Sequence, residues 1–440
     1  MCEFLMRERS LNFLKLLDRY GGIPALYLLA GIRALLSILF PPRTVRVRTI
    51  VMVKLWGVGN LVMIIPMIRA VRQAFPEARI HFLTIDRNAP FLERLDELDS
   101  IITLKSGGAL SSLIDVIRLP VKLFGLRPDL YLDFEQFLRL TAIIGLVSGA
   151  PQRVGLKTPG QARAKLYNIK VPYRFDRHMT STFSDVVRSA GVDIAGYPSL
   201  EVPRDRNGAA RVDEILANWD RTEGPLVAIH PGSGDNFPAR RWPIEGFAHV
   251  ADRLLDEAGA RIVLTGTAPE LPLADQFRRI SRAPALCLMG QLTLLELVEF
   301  LSRVDLLITN DTAPVHIGSA LDLRLIALYG PNTPDLYGPV NHRARSFYLR
   351  FPCSPCITNL NAKTSSCQLP SCILSIDREH VADAALTMLS GRRSNALPPE
   401  AAEPAGTATP TGAAKPTGAA KPTGAAKPTG AAKPTRRADR

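Results

Sequence analysis

Three short polar clusters hold the side chains best suited to bind or activate a phosphorylated ligand, and each follows an apolar, strand-like run. The first is Trp56-Gly57-Val58-Gly59-Asn60-Leu61. Its glycines let the backbone approach a ligand, and a helix starting there offers free N–H groups. It lacks the full G-x-G-x-x-G spacing of a dinucleotide site, so a plain tight turn accounts for the same residues. The second runs His230-Pro231-Gly232-Ser233-Gly234 and then Pro238-Ala239-Arg240-Arg241-Trp242-Pro243. A Gly/Ser loop and two guanidinium groups ahead of a helix can wrap a diphosphate through backbone donors and forked Arg contacts. The competing reading of the Arg pair is a solvated loop. The third, Thr309-Asn310-Asp311-Thr312-Ala313-Pro314-Val315-His316, turns a strand into a helix near Pro314. Free N–H groups there, with Thr312 as a further donor, suit a phosphate or a developing anion. Asp311 serves equally well as a helix cap. His316 lies inside an apolar helix, where a hydrogen-bonded core histidine is commoner than a catalytic one.

The elements that must position these clusters alternate between strand and helix. Thr49–Leu55, Ile80–Thr84, Ile101–Leu104 and Leu130–Phe134 read as buried strands, with a helical period from Leu61 to Phe75. Tyr197–Pro203 has the Pro content of a connection between domains. A second series follows, with strands at Leu226–His230, Arg261–Thr265, Ala285–Leu288, Leu306–Thr309 and Arg324–Tyr329. Its helices fit Pro243–Glu257, Pro269–Ser281, Leu294–Arg303 and Pro314–Leu321. This rhythm predicts two mostly parallel sheets covered by helices, with a ligand at the carboxyl ends of the strands.

Residues 1–48, 49–203, 204–390 and 391–440 divide into an N-terminal apolar helical segment, two Rossmann-like domains and a low-complexity tail. The segment Ile23–Phe40 is nearly long enough to cross a bilayer, but Arg33 in its middle favours an interfacial or protein-packed helix. In the tail, Pro-Thr-Gly-Ala-Ala-Lys recurs from Pro410 to Lys433, with no apolar residue large enough to build a core. The chain has 54 Lys and Arg against 41 Asp and Glu, a net +13. That excess suits phosphates, an anionic membrane surface or, through the tail alone, nucleic acid.

Taken together, the signatures resemble glycosyltransferase family 9, the ADP-heptose:lipopolysaccharide heptosyltransferases, from about Ile50 to about Leu389. The resemblance is carried by VKLWGVGNLVMIIPMIRAVRQAFPEARIHFLT, HPGSGDNFPARRWPIEGFAHVADRL, TGTAPE and TNDTAPVHIGSALDLRLIALYGPNTP. It implies an α/β GT-B fold, two Rossmann-like domains facing a central cleft. The acceptor would sit on the first domain and ADP-heptose, or a similar nucleotide sugar, on the second. The reaction it implies is inverting transfer to a lipid-linked saccharide, with no metal or other catalytic cofactor. Arg240 matches the family's contact to the donor diphosphate and Glu270 its contact to the ribose. Asp311, Thr312 and Ala313 match the phosphate- and sugar-binding turn, which His316 supports, and Ser233 belongs to the same donor set. Such an enzyme works in the cytoplasm, peripheral to the inner face of the bacterial inner membrane.

One position departs from the family pattern. An Asp, taken as the catalytic base, normally follows the second glycine of the first loop; here that residue is Asn60. An amide cannot accept the acceptor's proton. Asn60 is then expected to orient the acceptor, with Asp133 or Glu135, at the end of a strand-like run, as the base. Surface loops are the competing reading for both. Without a base, the chain would instead be a nucleotide-sugar-binding scaffold or an epimerase-like protein. Four cysteines, Cys353, Cys356, Cys367 and Cys372, have the type and number of ligands for a structural zinc site. Reduced thiols or a labile disulfide explain them as well.

Overall fold

A computed structural model of the chain describes residues 24, 26–31, 46–105, 109–219, 223–234, 238–360, 365 and 367–391. Two six-stranded sheets form within it, and every strand pairing in both is parallel.

In the first half, β1 (Thr49–Val53) leads into α1 (Val58–Ala74), then β2 (Arg79–Ile85) and β3 (Ser100–Leu104). Next come α2 (Ala109–Leu126), β4 (Leu130–Asp133), α3 (Arg139–Val147), β5 (Gln152–Lys157), β6 (Ile169–Pro172) and α4 (Met179–Arg188). The strand order is β3-β2-β1-β4-β5-β6, the doubly wound arrangement whose ligand crevice lies where the order reverses, between β1 and β4. Strands β1, β2 and β4 are almost wholly buried because helices cover both faces, which is why their sequences run continuously apolar.

The second half begins with α5 (Arg206–Asn218) and β7 (Leu226–His230), followed by α6 (Ile244–Ala258), β8 (Arg261–Leu264) and α7 (Leu271–Ile280). Then come β9 (Ala285–Cys287), α8 (Leu294–Leu301), β10 (Leu306–Asn310), α9 (Ala313–Ala320), β11 (Leu325–Tyr329), β12 (Ala344–Tyr348) and α10 (Arg378–Leu389). Strand order β12-β11-β10-β7-β8-β9 repeats the first sheet's pattern, with the reversal between β7 and β10. The second and third polar clusters follow those two strands directly.

Strands β5, β6 and β12 fall outside the strand-like runs read from the sequence. They sit toward sheet edges, and every residue of β12 is only half buried, so none needs a continuous apolar run. Within the apolar N-terminal segment, residues 26–31 are helical. Leu26 is fully buried among Ala142, Ala164, Leu166 and Tyr167, so this piece packs on α3. Among the described residues, no helix is long and apolar enough to cross a membrane. The repetitive tail and most of the segment 23–40 lie outside the described residues.

Candidate functional site

The carboxyl ends of β7 and β10 bring the second and third clusters together. Arg240 Nη1 donates to the Asp311 carbonyl oxygen at 3.0 Å and lies 3.5 Å from the Asp311 carboxylate, while Nη2 donates to the Ser233 carbonyl at 2.5 Å. Asn332, after β11, donates to the same Asp311 carboxylate at 2.8 Å. Asp311 is thus held between Arg240 and Asn332 rather than serving as a cap. The N-cap of α9 is Thr312, in extended conformation and with no side-chain cap bond, so the positive end of that helix stays available to an anion.

Buried Asn310, at the end of β10, ties the loops into one wall. Its amide oxygen accepts from the Trp242 N–H at 3.0 Å, and its Nδ2 donates to the Pro231 and Gly232 carbonyls at 2.8 and 3.3 Å. Arg241 lies over the Gly/Ser loop, 3.3 Å from both Ser233 Oγ and the Gly234 carbonyl and 3.7 Å from Glu270.

Glu270 is buried beneath that loop. Its carboxylate accepts from the Thr267 N–H and hydroxyl, both at 2.9 Å, and from the Gly234 N–H at 3.0 Å. A Cβ on Gly232 would stand 2.1 Å from its Oε1, so the loop can pass there only as glycine. Burial pushes the Glu270 carboxyl up, but the Thr267 and Gly234 N–H groups and nearby His230 more than reverse this and hold it below the usual range. In this arrangement Glu270 shapes the loop through bonds already made within the protein.

The first cluster meets this wall. The turn at Gly57 has φ 87°, in the left-handed region that favours glycine. A Cβ on Gly59 would stand 2.3 Å from His316 Cδ2, so the start of α1 rests directly on the imidazole of α9. His316 is 5% exposed and its Nδ1 has no hydrogen-bond partner among the described residues, so it is a core histidine but not a satisfied one there. Burial pushes its pKa to about 4 against the pull of Asp311. Asn60, one residue on, is half buried, with Nδ2 3.4 Å from the Trp56 carbonyl. The first turns of α1 and α9 are therefore neighbours.

Asp133 and Glu135, the expected bases, each make several bonds within the protein, and neither lies in a surface loop. Both are fully buried. Glu135 accepts from Lys54 Nζ at 2.8 Å and from the Leu55 and Trp56 N–H groups at 2.7 and 3.1 Å. It clamps the strand end from which the Asn60 loop departs. Asp133 accepts from Arg163 Nη2 at 2.8 Å and the Tyr167 hydroxyl at 2.6 Å, and also from the Glu135 N–H at 2.9 Å. Arg163, itself fully buried, stays charged because Asp133, Tyr167 and Glu135 outweigh the burial. Sequence reasoning missed Lys54, Arg163 and Asn310. Lys54 carried a signal, a lone charge inside the apolar run Val51–Leu55.

Cys353, Cys356, Cys367 and Cys372 are not disulfide-bonded. Burial first, then the neighbouring thiols, push Cys372 up to about 11. Among the described residues, no group of three or more His, Cys, Asp or Glu side chains is placed to hold a metal ion, so the expected zinc site finds no support there. The loop is pinned by main-chain bonds instead: the Cys356 and Ile357 N–H groups both donate to the Pro331 carbonyl at 2.9 Å.

The model of glycosyltransferase family 9 (heptosyltransferase) matches residues 121–365, more than half the chain. The chain belongs to that family. It is a glycosyltransferase of GT-B architecture. It is 28% identical over 302 residues to lipopolysaccharide heptosyltransferase 2 of Salmonella typhimurium, covering 66% of this chain and 84% of the relative. Its fold is similar to that of a family 9 glycosyltransferase from Veillonella parvula, with a TM-score of 0.63 and 24% identity over 78% of this chain and 97% of the other. It is also similar to E. coli ADP-heptose lps heptosyltransferase II, with a TM-score of 0.60 and 22% identity over 78% and 99% of the two chains.

Proposed function

We propose that this glycosyltransferase moves a heptose, or a related sugar, from ADP-heptose or a similar nucleotide-diphosphate donor to a lipid-linked, lipopolysaccharide-core-like acceptor. The observation that carries this reading is the contact of Gly59, in the first turn of α1 one residue before Asn60, with His316 on α9. It sets the first turn of α1 beside α9, whose N-terminus has no side-chain cap and adjoins Arg240 through Asp311. Curated relatives named for lipopolysaccharide and lipooligosaccharide heptosyltransfer support the choice of sugar and acceptor.

In this reading Ser233, Arg240 and the turn Asp311–Ala313 hold the donor diphosphate. The leaving group gains charge as the sugar–phosphate bond breaks, and guanidinium groups and helix N–H groups already in place stabilise it. Metal independence rests on these fixed positive groups. The acceptor hydroxyl attacks from the opposite face as the bond to the diphosphate breaks, which inverts the sugar carbon, and its proton passes to solvent water because Asn60 cannot take it. Asn60 accepts a hydrogen bond from that hydroxyl and aims it. Glu135 and Lys54 act one step removed, by fixing the loop that carries Asn60. The enzyme would work at the cytoplasmic face of the inner membrane, where such acceptors are built.

A second reading, a sugar-nucleotide-binding scaffold without turnover, is favoured by Asn60 together with the closed-off Asp133 and Glu135. One experiment separates the two. The purified chain is incubated with a panel of nucleotide sugars and its melting temperature followed. The stabilising donor is then supplied with a lipid-linked core acceptor. Stabilisation followed by an extended glycolipid supports transfer, and stabilisation without product supports the scaffold.

A further inference from the structure

Helix α2 covers the face of the first sheet opposite α1 and α4, and buries Leu119 and Leu123 against Leu83, Ile102 and Tyr131. Its other side is unusual. Ile117, Val121 and Phe124, spaced i, i+4 and i+7, are 64%, 76% and 64% exposed. That spacing sets three large apolar groups on one stripe of the helix. Arg118 and Lys122 flank the stripe, are exposed, and have no ion-pair partner among the described residues. Between Lys105 and Arg127 there are four basic residues and a single acid, Asp115, whose carboxylate accepts from the Lys105 N–H.

The stripe continues beyond α2. Phe124 lies over the turn that ends α3, within 3.5 Å of where a Cβ on Gly149 would be, and Val147 nearby is exposed. On the other flank of α3 the helical residues 26–31 pack through Leu26, leaving Tyr27 and Leu28 exposed, with Lys165 Nζ 4.7 Å above the Tyr27 ring. A water-facing helix does not keep a row of large apolar groups edged with cations unless something covers it.

We propose that this face of α2, with the neighbouring end of α3, docks on an anionic lipid bilayer. The apolar stripe enters the boundary between headgroups and acyl chains, and Arg118 and Lys122 meet the lipid phosphates. Charge complementarity selects a membrane over a second copy of the chain, because two copies facing each other would bring like charges together. The inference deepens the proposed function, since a lipid-linked acceptor must be taken from such a surface.

The test uses the full chain, without nucleotide or acceptor, sedimented with vesicles of phosphatidylethanolamine and phosphatidylglycerol or of phosphatidylcholine. The wild type should partition onto the anionic vesicles and weakly onto the neutral ones. The V121E/F124E variant should lose at least about tenfold in partitioning, since two apolar groups no longer leave water. The R118Q/K122Q variant should lose about fivefold per charge and much of its salt sensitivity. Unchanged melting curves confirm that both variants fold. The proposal is overturned if V121E/F124E binds vesicles like the wild type, or if the wild type ignores anionic lipid. It is equally overturned if the wild type is a dimer that V121E/F124E converts to monomer, which would make a second copy the occupant. Intact partitioning without sugar transfer strikes the proposed reaction alone; transfer without lipid binding strikes only the docking surface.

Discussion

Glu135→Gln tests whether this residue is a base or a positioning group. The substitution leaves an oxygen for the Leu55 and Trp56 N–H groups but removes the charge 2.8 Å from Lys54 Nζ. Lys54 and Glu135 are 1% and 0% exposed, so the ammonium is left buried without its bonded counter-charge, and nearby Asp133 is already paired with Arg163. Breaking one side of a buried pair costs about 3–5 kcal/mol. At about 2–4 °C per kcal/mol for a domain of this size, the melting temperature should fall by about 6–20 °C. The loss should also depend on pH. Burial already lowers the Lys54 pKa below 10.5, with Glu135 opposing the fall. The unfolded chain therefore holds a proton that the folded chain gives up earlier, and stability rises with pH in the window below 10.5. Removing Glu135 lowers the folded pKa further and brings more of that window into reach. The deficit of E135Q in urea melts should shrink between pH 7 and pH 9.5 by more than the wild type changes. An E135Q protein as stable as the wild type at pH 7 but unable to transfer sugar would refute the argument and restore the carboxylate as a base.

At Asn60, replacement by Asp should retain or raise transfer in a fixed-donor assay, because it puts a proton acceptor where the loop meets α9; loss of activity would mean the side chain donates rather than accepts. Arg240→Ala should weaken nucleotide binding at least about tenfold by calorimetry, from about 1.5 kcal/mol or more for a lost charged hydrogen bond, and an unchanged affinity would remove Arg240 from the site. His178, His230 and His316 are each pushed to about 4 by burial. Since the unfolded histidines protonate first, stability should fall as pH drops from about 6.5 toward 4, and flat urea midpoints over that range would contradict the buried neutral rings. In thiol titration at pH 8, exposed Cys353 should react early and Cys372, with its pKa of about 11, last; equal rates would mean the loop opens.

Much of the fold was legible because the central strands obey one rule. A parallel strand buried on both faces must be apolar along its length, so β1, β7, β10 and β11 announce themselves. Edge strands are under no such demand. In β6, Ile169-Lys170-Val171-Pro172 alternates and carries a charge, and β12 opens each residue partly to solvent. Neither pattern separates a strand from a loop without its neighbour in view. The thiol cluster shows a different limit: ligand type and number are readable from spacing, and the other three thiols do lie near enough to act on Cys372, but whether four sulfurs take the geometry a metal needs depends on the path of the loop.

That the second and third clusters meet was readable for the same reason as the strands, since both follow the strands at the order reversal, where a doubly wound sheet has its crevice. Ser233, Arg240 and Asp311 were picked on that logic, and they lie in hydrogen-bond contact with one another. The case for a base rests on the same logic. Asp133 and Glu135 also stand at a strand end beside a reversal, between β4 and β1, and position alone made them candidates. Position cannot tell a carboxylate that faces the crevice from one that faces the protein. What decides is the supply of partners: Lys54 on the adjacent strand and Arg163 from a segment thirty residues on consume both carboxylates. A lone lysine in an apolar strand was the readable half of that answer, because a buried cation requires a buried anion within reach. In register, Val53 pairs with Asp133, which sets Lys54 level with the stretch that carries Glu135. The buried lysine therefore claims the Glu135 carboxylate, and that pair holds Leu55 and Trp56, which lead into the first turn of α1 where Asn60 stands.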